Sequence, residues 1–455
     1  MRTLPAQCRR IVVAVFVAVT ATQVNAQATQ NARLKALVGG TLIDGYGGAP
    51  IANSVVLIDG ERIRAVGQVG TLAIPPGAEV ISTEGMSVLP GLWDMHVHLM
   101  INGHGDYAHW DKTYPSVLES VIMPASARQL LLAGVTSARD LGGPLGASIG
   151  VRDAINAGKF PGPTLYVSGP FIQHEAYPGT DYFRWGVKGE ADAREKVRRL
   201  AKAGVNIIKM IDQDQMTMEE VRAVVDEAHK ANLMVVAHAH RPEEVRRGLA
   251  AGVDDFEHTG LAAAPEYPEE LMTLLRERTA RGAAGPFFWT PTIQVLYNYE
   301  YLRDHPERLD DPAWHLGLPD SIITDIRQSI AHPDQLAYYQ GVPARRPTLA
   351  RKFKQLQESG VVLLIGTDSG VPMQFQCCTT WNELDTWVNT FGIDPMFAIR
   401  AATFWPAVAM KVEKDVGTVS AGKYADIIAV RGDVLRYINL LQNVDVVVKH
   451  GVRYK

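Results

Sequence analysis

Three cysteines in 455 residues exclude a scaffold built on disulfides. An excess of charge of either sign is also missing. Lys and Arg total 45 against 49 Asp and Glu, a formal net charge of −4, which gives no reason to expect nucleic acid or an anionic membrane surface as partner. Low-complexity tracts and internal repeats are absent. What is present is 47% apolar and 21% charged residues, an ordinary globular composition that disfavours disorder. The length allows two or three domains, or one large barrel with an appendage.

The chain opens with Arg2, Arg9 and Arg10, an apolar run over residues 11–19, and a small-residue exit at Val24-Asn25-Ala26. A basic start, a short apolar core and a small-residue exit predict a secretory signal peptide over residues 1–26, hence export to the periplasm or medium. Nine apolar residues fall short of the ~20 that span a bilayer, so no membrane span is expected after its removal. Cys8 precedes the apolar run, and the mature chain keeps Cys377 and Cys378. Adjacent cysteines rarely suit disulfide geometry, which predicts packing thiols and leaves a strained vicinal disulfide as the alternative.

Between residues 37 and 88, short β-prone runs such as Ser54-Val55-Val56-Leu57-Ile58-Asp59-Gly60 are punctuated by Gly and Pro. The same texture returns in Asp426-Ile427-Ile428-Ala429-Val430 and in residues 444–448. These terminal segments are expected to pair into one small β-sandwich. Between them, eight apolar strands (92–99, 135–141, 164–168, 205–210, 234–239, 254–259, 287–293 and 361–368) alternate with helical stretches such as 190–203, 218–231 and 242–251. That alternation predicts a parallel sheet covered on both faces, and eight repeats predict an α/β fold, a (β/α)8 TIM-like barrel. The expected divisions are 27–88 and 415–455 for the sandwich and 89–414 for the barrel. Residues 297–351, with Tyr, Pro and Asp-Pro breaks, read as an insertion after strand seven on the face where barrel active sites form.

Polar residues gather at the strand ends. In Asp94-Met95-His96-Val97-His98, positions i and i+2 point the same way, so His96 and His98 can share a metal or form a hydrogen-bonded pair in a turn. Lys209 lies inside the apolar strand Ile207-Ile208-Lys209-Met210. Burial disfavours its ammonium form. Either its stem snorkels out of the mouth, or it is an amine of lowered pKa, able to add CO2 as a carbamate that bridges two metals. Strand five ends in Ala237-His238-Ala239-His240, strand six in Glu257-His258 and strand eight in Thr367-Asp368. Six metal-type residues at the ends of five strands make a purely structural role implausible, and neutral His with carboxylate oxygen suits zinc.

These motifs, with Leu89-Pro90-Gly91-Leu92-Trp93 before the first pair and Gly422-Lys423-Tyr424-Ala425-Asp426 in the tail, resemble the amidohydrolase superfamily over nearly the whole mature chain. Within it the chain is similar to the subgroup of Xaa-Pro and other dipeptidases, imidazolonepropionase relatives and ochratoxin-hydrolysing enzymes. The resemblance implies two Zn2+ per chain. His96, His98 and Asp368 would hold one, His238 and His258 the other, with carboxylated Lys209 bridging them. It implies attack by a metal-bridging hydroxide, Asp368 as proton carrier, and His240 either touching the carbonyl or orienting a ligand from behind. The implied reaction is hydrolysis of the C–N amide bond of N-acyl amino acids or dipeptides, acyl-phenylalanine compounds of the ochratoxin type included. A homo-oligomer, octamers among the options, is also implied.

A substrate carboxylate would need cationic or hydrogen-bonding groups. Arg241, His174 and Tyr182 are candidates, while Arg184 reads as surface charge. Trp289, Tyr297, Tyr299 and Tyr301 could line an aromatic pocket or pack the core. Two departures bear on the substrate: Arg241 stands where many relatives have Gly, and residues 297–351 are unusually long. The alternatives are a mononuclear deaminase, which Arg241 and Lys209 argue against, and a cyclic-amide or lactone hydrolase on the same metals. A non-catalytic scaffold would be expected to have lost ligands that are all retained here.

Overall fold

The computed structural model describes residues 34–260, 264–280 and 285–455; the expected signal peptide, 1–26, lies outside them. Leu34–Val38, Ser54–Asp59, Arg62–Gln68 and Glu79–Ser82 make a four-stranded sheet. A five-stranded sheet joins the two ends of the chain: Met86–Pro90 runs antiparallel to Ile427–Arg431, with Leu89 opposite Ile428, and Val446–Lys449 continues it. The two sheets share one apolar cluster. Leu37, Val56, Ile58 and Ile81 come from the first, Val88, Ile427, Ala429 and Val448 from the second.

The middle of the chain is parallel sheet. Leu92–Val97, Val135–Asp140 and Thr164–Val167 pair in that order. Ile207–Met210, Met234–His238, Asp255–Glu257, Phe288–Thr290 and Val362–Leu363 pair in theirs. Backbone bonds connect the two sets at both edges. Asn206 N donates to Val167 O at 2.9 Å, and Met95 N donates to Ile365 O at 2.9 Å. All eight expected strands occur, each shorter by one to several residues at its ends. Two three-residue strands, Phe171–Gln173 and Arg184–Gly186, extend the second sheet beyond expectation; so short a run inside a Gly- and Pro-rich stretch carries no periodic signal.

Helices cover this sheet because each carries an apolar stripe. Glu190–Ala203 buries Ala193, Val197 and Leu200, spaced four and three apart, and stops at Gly204 with φ 88°. Burying such Val and Leu side chains is worth about 1.5–3 kcal/mol each. Met218–Lys230 begins with a capping box in which Thr217 and Glu220 satisfy each other's backbone N–H. The long segment read as an insertion is largely helical, including Gln294–Asp304 and Asp320–Ser329. Its buried Trp314 stacks on Phe375 at 4.5 Å, which ties it to the loop after the last parallel strand.

Cys377 and Cys378 are disulfide-bonded to each other, which corrects the expectation of packing thiols. The pair closes a turn in which Cys378 N donates to Phe375 O, just before the helix Thr379–Asp385. That turn, rather than an extended strand, brings the two sulfurs together.

Candidate metal centre

The histidines and Lys209 stand at the C-terminal end of a parallel strand or in the residue or two after it, and Asp368 follows in the turn five residues beyond Val362–Leu363, so the register of the sheet brings them together. His96 and His98 share one face of the first strand. Their Nε2 atoms are 3.3 Å apart, and Asp368 Oδ1 lies 3.1 Å from His98 Nε2 and 3.5 Å from His96 Nε2. The last strand can come this close because of Gly366, where a Cβ would sit 2.9 Å from His96 N and 2.4 Å from the Thr290 side chain. A second group forms beside it. His238, His240 and His258 each offer a ligand atom within 4.8 Å of the others, and the rings of His240 and His258 stack at 4.5 Å. The His96 ring is 4.7 Å from that of His258, so the two groups adjoin.

The donors are chemically ready for a cation. Burial holds His96, His238 and His258 well below the usual imidazole range, with the Lys209 charge among the further causes, and burial pushes His240 down to about 4. They are therefore neutral near pH 7. Nδ1 of His238, Nδ1 of His240, Nε2 of His258 and Nζ of Lys209 are all buried without a hydrogen-bond partner. Four orphaned nitrogens in one place are costly unless something accepts their lone pairs. Lys209 is fully buried, and burial lowers it to about 8. The lowered pKa makes the neutral amine, the form that adds CO2, easier to reach near neutral pH than for an exposed lysine. The residues present thus fit a metal centre, on their chemistry as well as their number.

A surrounding layer fixes the ring orientations. His96 Nδ1 lies 2.7 Å from Glu257 Oε2, which assigns its proton to Nδ1 and leaves Nε2 free. Glu257 is held by Arg139, whose buried guanidinium also pairs with Asp255 at 2.7 Å and donates from Nε to Met95 O. His258 Nδ1 is 2.8 Å from Thr292 Oγ1. Asp94 accepts from His96 N, from Thr367 N and Oγ1, and from Thr380 Oγ1, pinning the first and last strands together. Sequence reasoning passed over Arg139, Asp255, Thr292 and the role of Asp94. Of these only Asp94, two residues before His96, carried a local signal.

A cavity of about 700 Å3 opens over the centre. His98, His238, His240, His258 and Asp368 form its polar floor, and Ile101, Ile211, Leu296 and Val371 are among its apolar walls. Its aromatic lining is Tyr107, Phe171, Tyr177, Phe183 and Tyr338. The four aromatic candidates from sequence are elsewhere: Trp289 is core and donates to His258 O, Tyr299 is fully buried, and Tyr297 and Tyr301 pack half-buried. The structure does not bring Arg241 or His174 to this cavity. Arg241 is saturated by Asp212, Asp214 and Glu244, and His174 is exposed. Tyr182 lies one layer back, its hydroxyl donating to Asp111 at 2.8 Å, while Asp111 faces the cavity. Arg184, read from sequence as surface charge, lines the cavity.

Residues 87–453 match the Amidohydrolase family. An ochratoxinase from Aspergillus niger is 26% identical over 461 aligned positions, covering 91% of this chain and 84% of that protein. A crystal structure of a Xaa-Pro dipeptidase with methionine in its active site is 27% identical, with a TM-score of 0.71, covering 93% of this chain and all of the other. The A. niger ochratoxinase crystal structure is 24% identical over 93% of this chain and 96% of its own, with a TM-score of 0.70.

Proposed function

The chain belongs to the amidohydrolase family and is a hydrolase of C–N bonds, and on that premise we propose a binuclear zinc enzyme that cleaves the amide of N-acyl amino acids or dipeptides. The observation that carries this reading is the pair of adjoining donor groups, with the unpartnered buried amine of Lys209 acting electrostatically on both. His96, His98 and Asp368 would hold one ion, His238 and His258 the other, and carboxylated Lys209 would bridge them. When bound, such ions supply a water of lowered pKa and polarise the substrate carbonyl.

The protein's own groups do the rest. Glu257 and Thr292 keep the lone pairs of His96 and His258 turned toward the centre. Asp368, at the cavity floor, is placed to take a proton from water and return it to the leaving amine. His240, on the same floor and held neutral by burial, can donate to the carbonyl oxygen or join the ligands of the second ion. The apolar walls keep bulk water from the reacting groups, which strengthens every charge interaction inside.

The eight parallel strands close into a (β/α)8 barrel, spanning 89–414, supported by the backbone bonds at both sheet edges. The two terminal sheets form a β-sandwich around their shared apolar cluster. The pattern of residues 1–26 supports export. Among the described residues no helix is long and apolar enough to cross a membrane. Assembly as a homo-oligomer follows from the resemblance to the subgroup alone.

Elemental analysis of protein purified without chelator and supplied with bicarbonate tests the centre. Two equivalents of zinc per chain are expected; one equivalent, unaffected by Lys209→Ala, refutes the bridged pair. Release of the amine from a panel of acyl-amino acids and dipeptides, run beside lactones and aminopurines, tests the reaction. Turnover confined to the latter two would overturn it.

A further inference from the structure

The guanidinium of Arg184 is packed among three aromatic rings, 4.6 Å from the Tyr177 centroid, 5.0 Å from Phe183 and 5.1 Å from Phe171. Its hydrogen bond is to a neutral group, Nη1 donating to Gln173 Oε1 at 3.2 Å, and Nε is buried without an acceptor. No carboxylate of the described residues pairs with it; Asp111, which feels its charge through space, already accepts from Tyr182. The contrast with Arg241 is sharp, since that side chain has three acidic partners. An arginine that lines an apolar cavity and lacks an anionic partner has donors to spare for a ligand. Its planar fork matches a carboxylate in two parallel hydrogen bonds.

Its place relative to the metal centre is also defined. The Phe171 ring neighbours both, with its centroid 5.9 Å from the His98 ring and 5.1 Å from the Arg184 guanidinium. Both line the same cavity. The metal-type side chains and the guanidinium therefore belong to one lining that a single ligand can meet. Tyr177, half-exposed, marks the mouth.

We propose that Arg184 determines specificity by receiving a free carboxylate on the substrate, so that among amides the cavity selects those whose leaving amine is an amino acid. This rests on the amide-hydrolase reading above and adds the anionic anchor to it. The carboxylate would be desolvated by the aromatic rings, where loss of one partner of a hydrogen-bonded charge pair costs 30-fold or more, on the order of 2 kcal/mol.

The test compares N-benzoyl-L-phenylalanine with its primary carboxamide, reading benzoate release by the metal-loaded full chain as wild type, Arg184→Met and Arg184→Lys. The quantity read is the ratio of kcat/KM for acid over carboxamide. Wild type is expected to favour the acid by about 30-fold or more, Arg184→Met to lose most of that ratio, and Arg184→Lys to keep part of it through its charge. A general folding defect lowers both rates and leaves the ratio intact, so an unchanged ratio in Arg184→Met overturns the proposal. If wild type releases no benzoate from either compound and the acyl-amino acid and dipeptide panel also stays uncleaved, the proposed amide substrate class fails instead. Titration calorimetry with the same two compounds then decides Arg184: acid-selective binding that Arg184→Met abolishes upholds the anchor, and binding indifferent to the substitution refutes it.

Discussion

Replacing Arg139 with Met deletes a cation that the active-site strands are built around. Its guanidinium is fully buried and pairs at 2.7 Å with both Asp255 and Glu257, themselves fully buried, while Nε and Nη2 also serve Met95 O and Thr290 Oγ1. Met preserves most of the stem volume, so the loss is chiefly electrostatic. Breaking a buried pair and leaving its partner charged costs about 3–5 kcal/mol, a large share of the roughly 5–15 kcal/mol that holds a domain folded. The carboxyls escape part of that cost by protonating. Burial already raises both, and Arg139 is the largest influence holding them down. In the variant, the native state therefore keeps protons that the unfolded state releases, and stability falls as pH rises from near 4 toward the raised native values. The deficit should be greater at pH 8 than at pH 5. Guanidinium unfolding of chelator-treated protein measures it: a lower midpoint at unchanged slope is expected, with the larger displacement at pH 8. A midpoint unchanged at both pH values, or a larger deficit in acid, would refute the account. Because Glu257 fixes the His96 tautomer, the variant should also bind metal more weakly, which a chelator competition would read separately.

Three further outcomes follow from the same geometry. Lys209→Ala should lose most of the bound metal and nearly all turnover, read by elemental analysis and initial rates; full activity would remove the bridge. Thr292→Val deletes the partner of His258 Nδ1 and should weaken metal binding about 10–100-fold, read by chelator competition, whereas unchanged affinity would show that the ring is oriented by packing alone. Arg241→Ala should leave kcat/KM within about threefold while lowering stability by about 1–2 kcal/mol, the figure discounted for its partial exposure; a large rise in KM would return Arg241 to the list of substrate contacts.

Most of the candidate metal centre was legible in the sequence because two periodicities coincide there. Alternation along a strand puts His96 and His98 on one side, and a strand–helix–strand step separates His238 from His258. The strand ends of a parallel α/β sheet then collect residues that lie far apart in the chain. Pairings that depend on which strands face one another had no such signal. Arg139 reads as one charge at the end of Val135–Asp140, and Asp255 and Glu257 as acids in another short strand; their ion pairs appear only once Arg139 is seen crossing to them. Arg184 failed for a related reason. It follows a Pro- and Gly-containing loop that suggests surface, and only the packing of that loop against Phe171 turns it inward. The vicinal disulfide stood only as the alternative reading, because adjacency in sequence does not reveal the turn in which Cys378 N donates to Phe375 O.

Backbone conformation marks the same site from another direction. His258 and Asp368 both have positive φ, 75° and 56°, as does Thr292 at 47°. A β-branched or bulky residue there is disfavoured, and local preference alone would choose Gly or Asn. Each such residue costs about 1–3 kcal/mol, sustained only where surrounding bonds over-determine it. Here they do. Asp368 N donates to His96 O at 2.8 Å and His258 N to Thr290 O at 2.7 Å, so each left-handed turn is tied to the neighbouring parallel strand. Gly370 follows Asp368 with φ 104°, where a Cβ would lie 2.4 Å from His98 O. Left-handed turns after two different strands aim an imidazole and a carboxylate at one point. The strain is thus borne by the residues whose side chains must converge, and the sheet's hydrogen bonds, rather than local propensity, hold it.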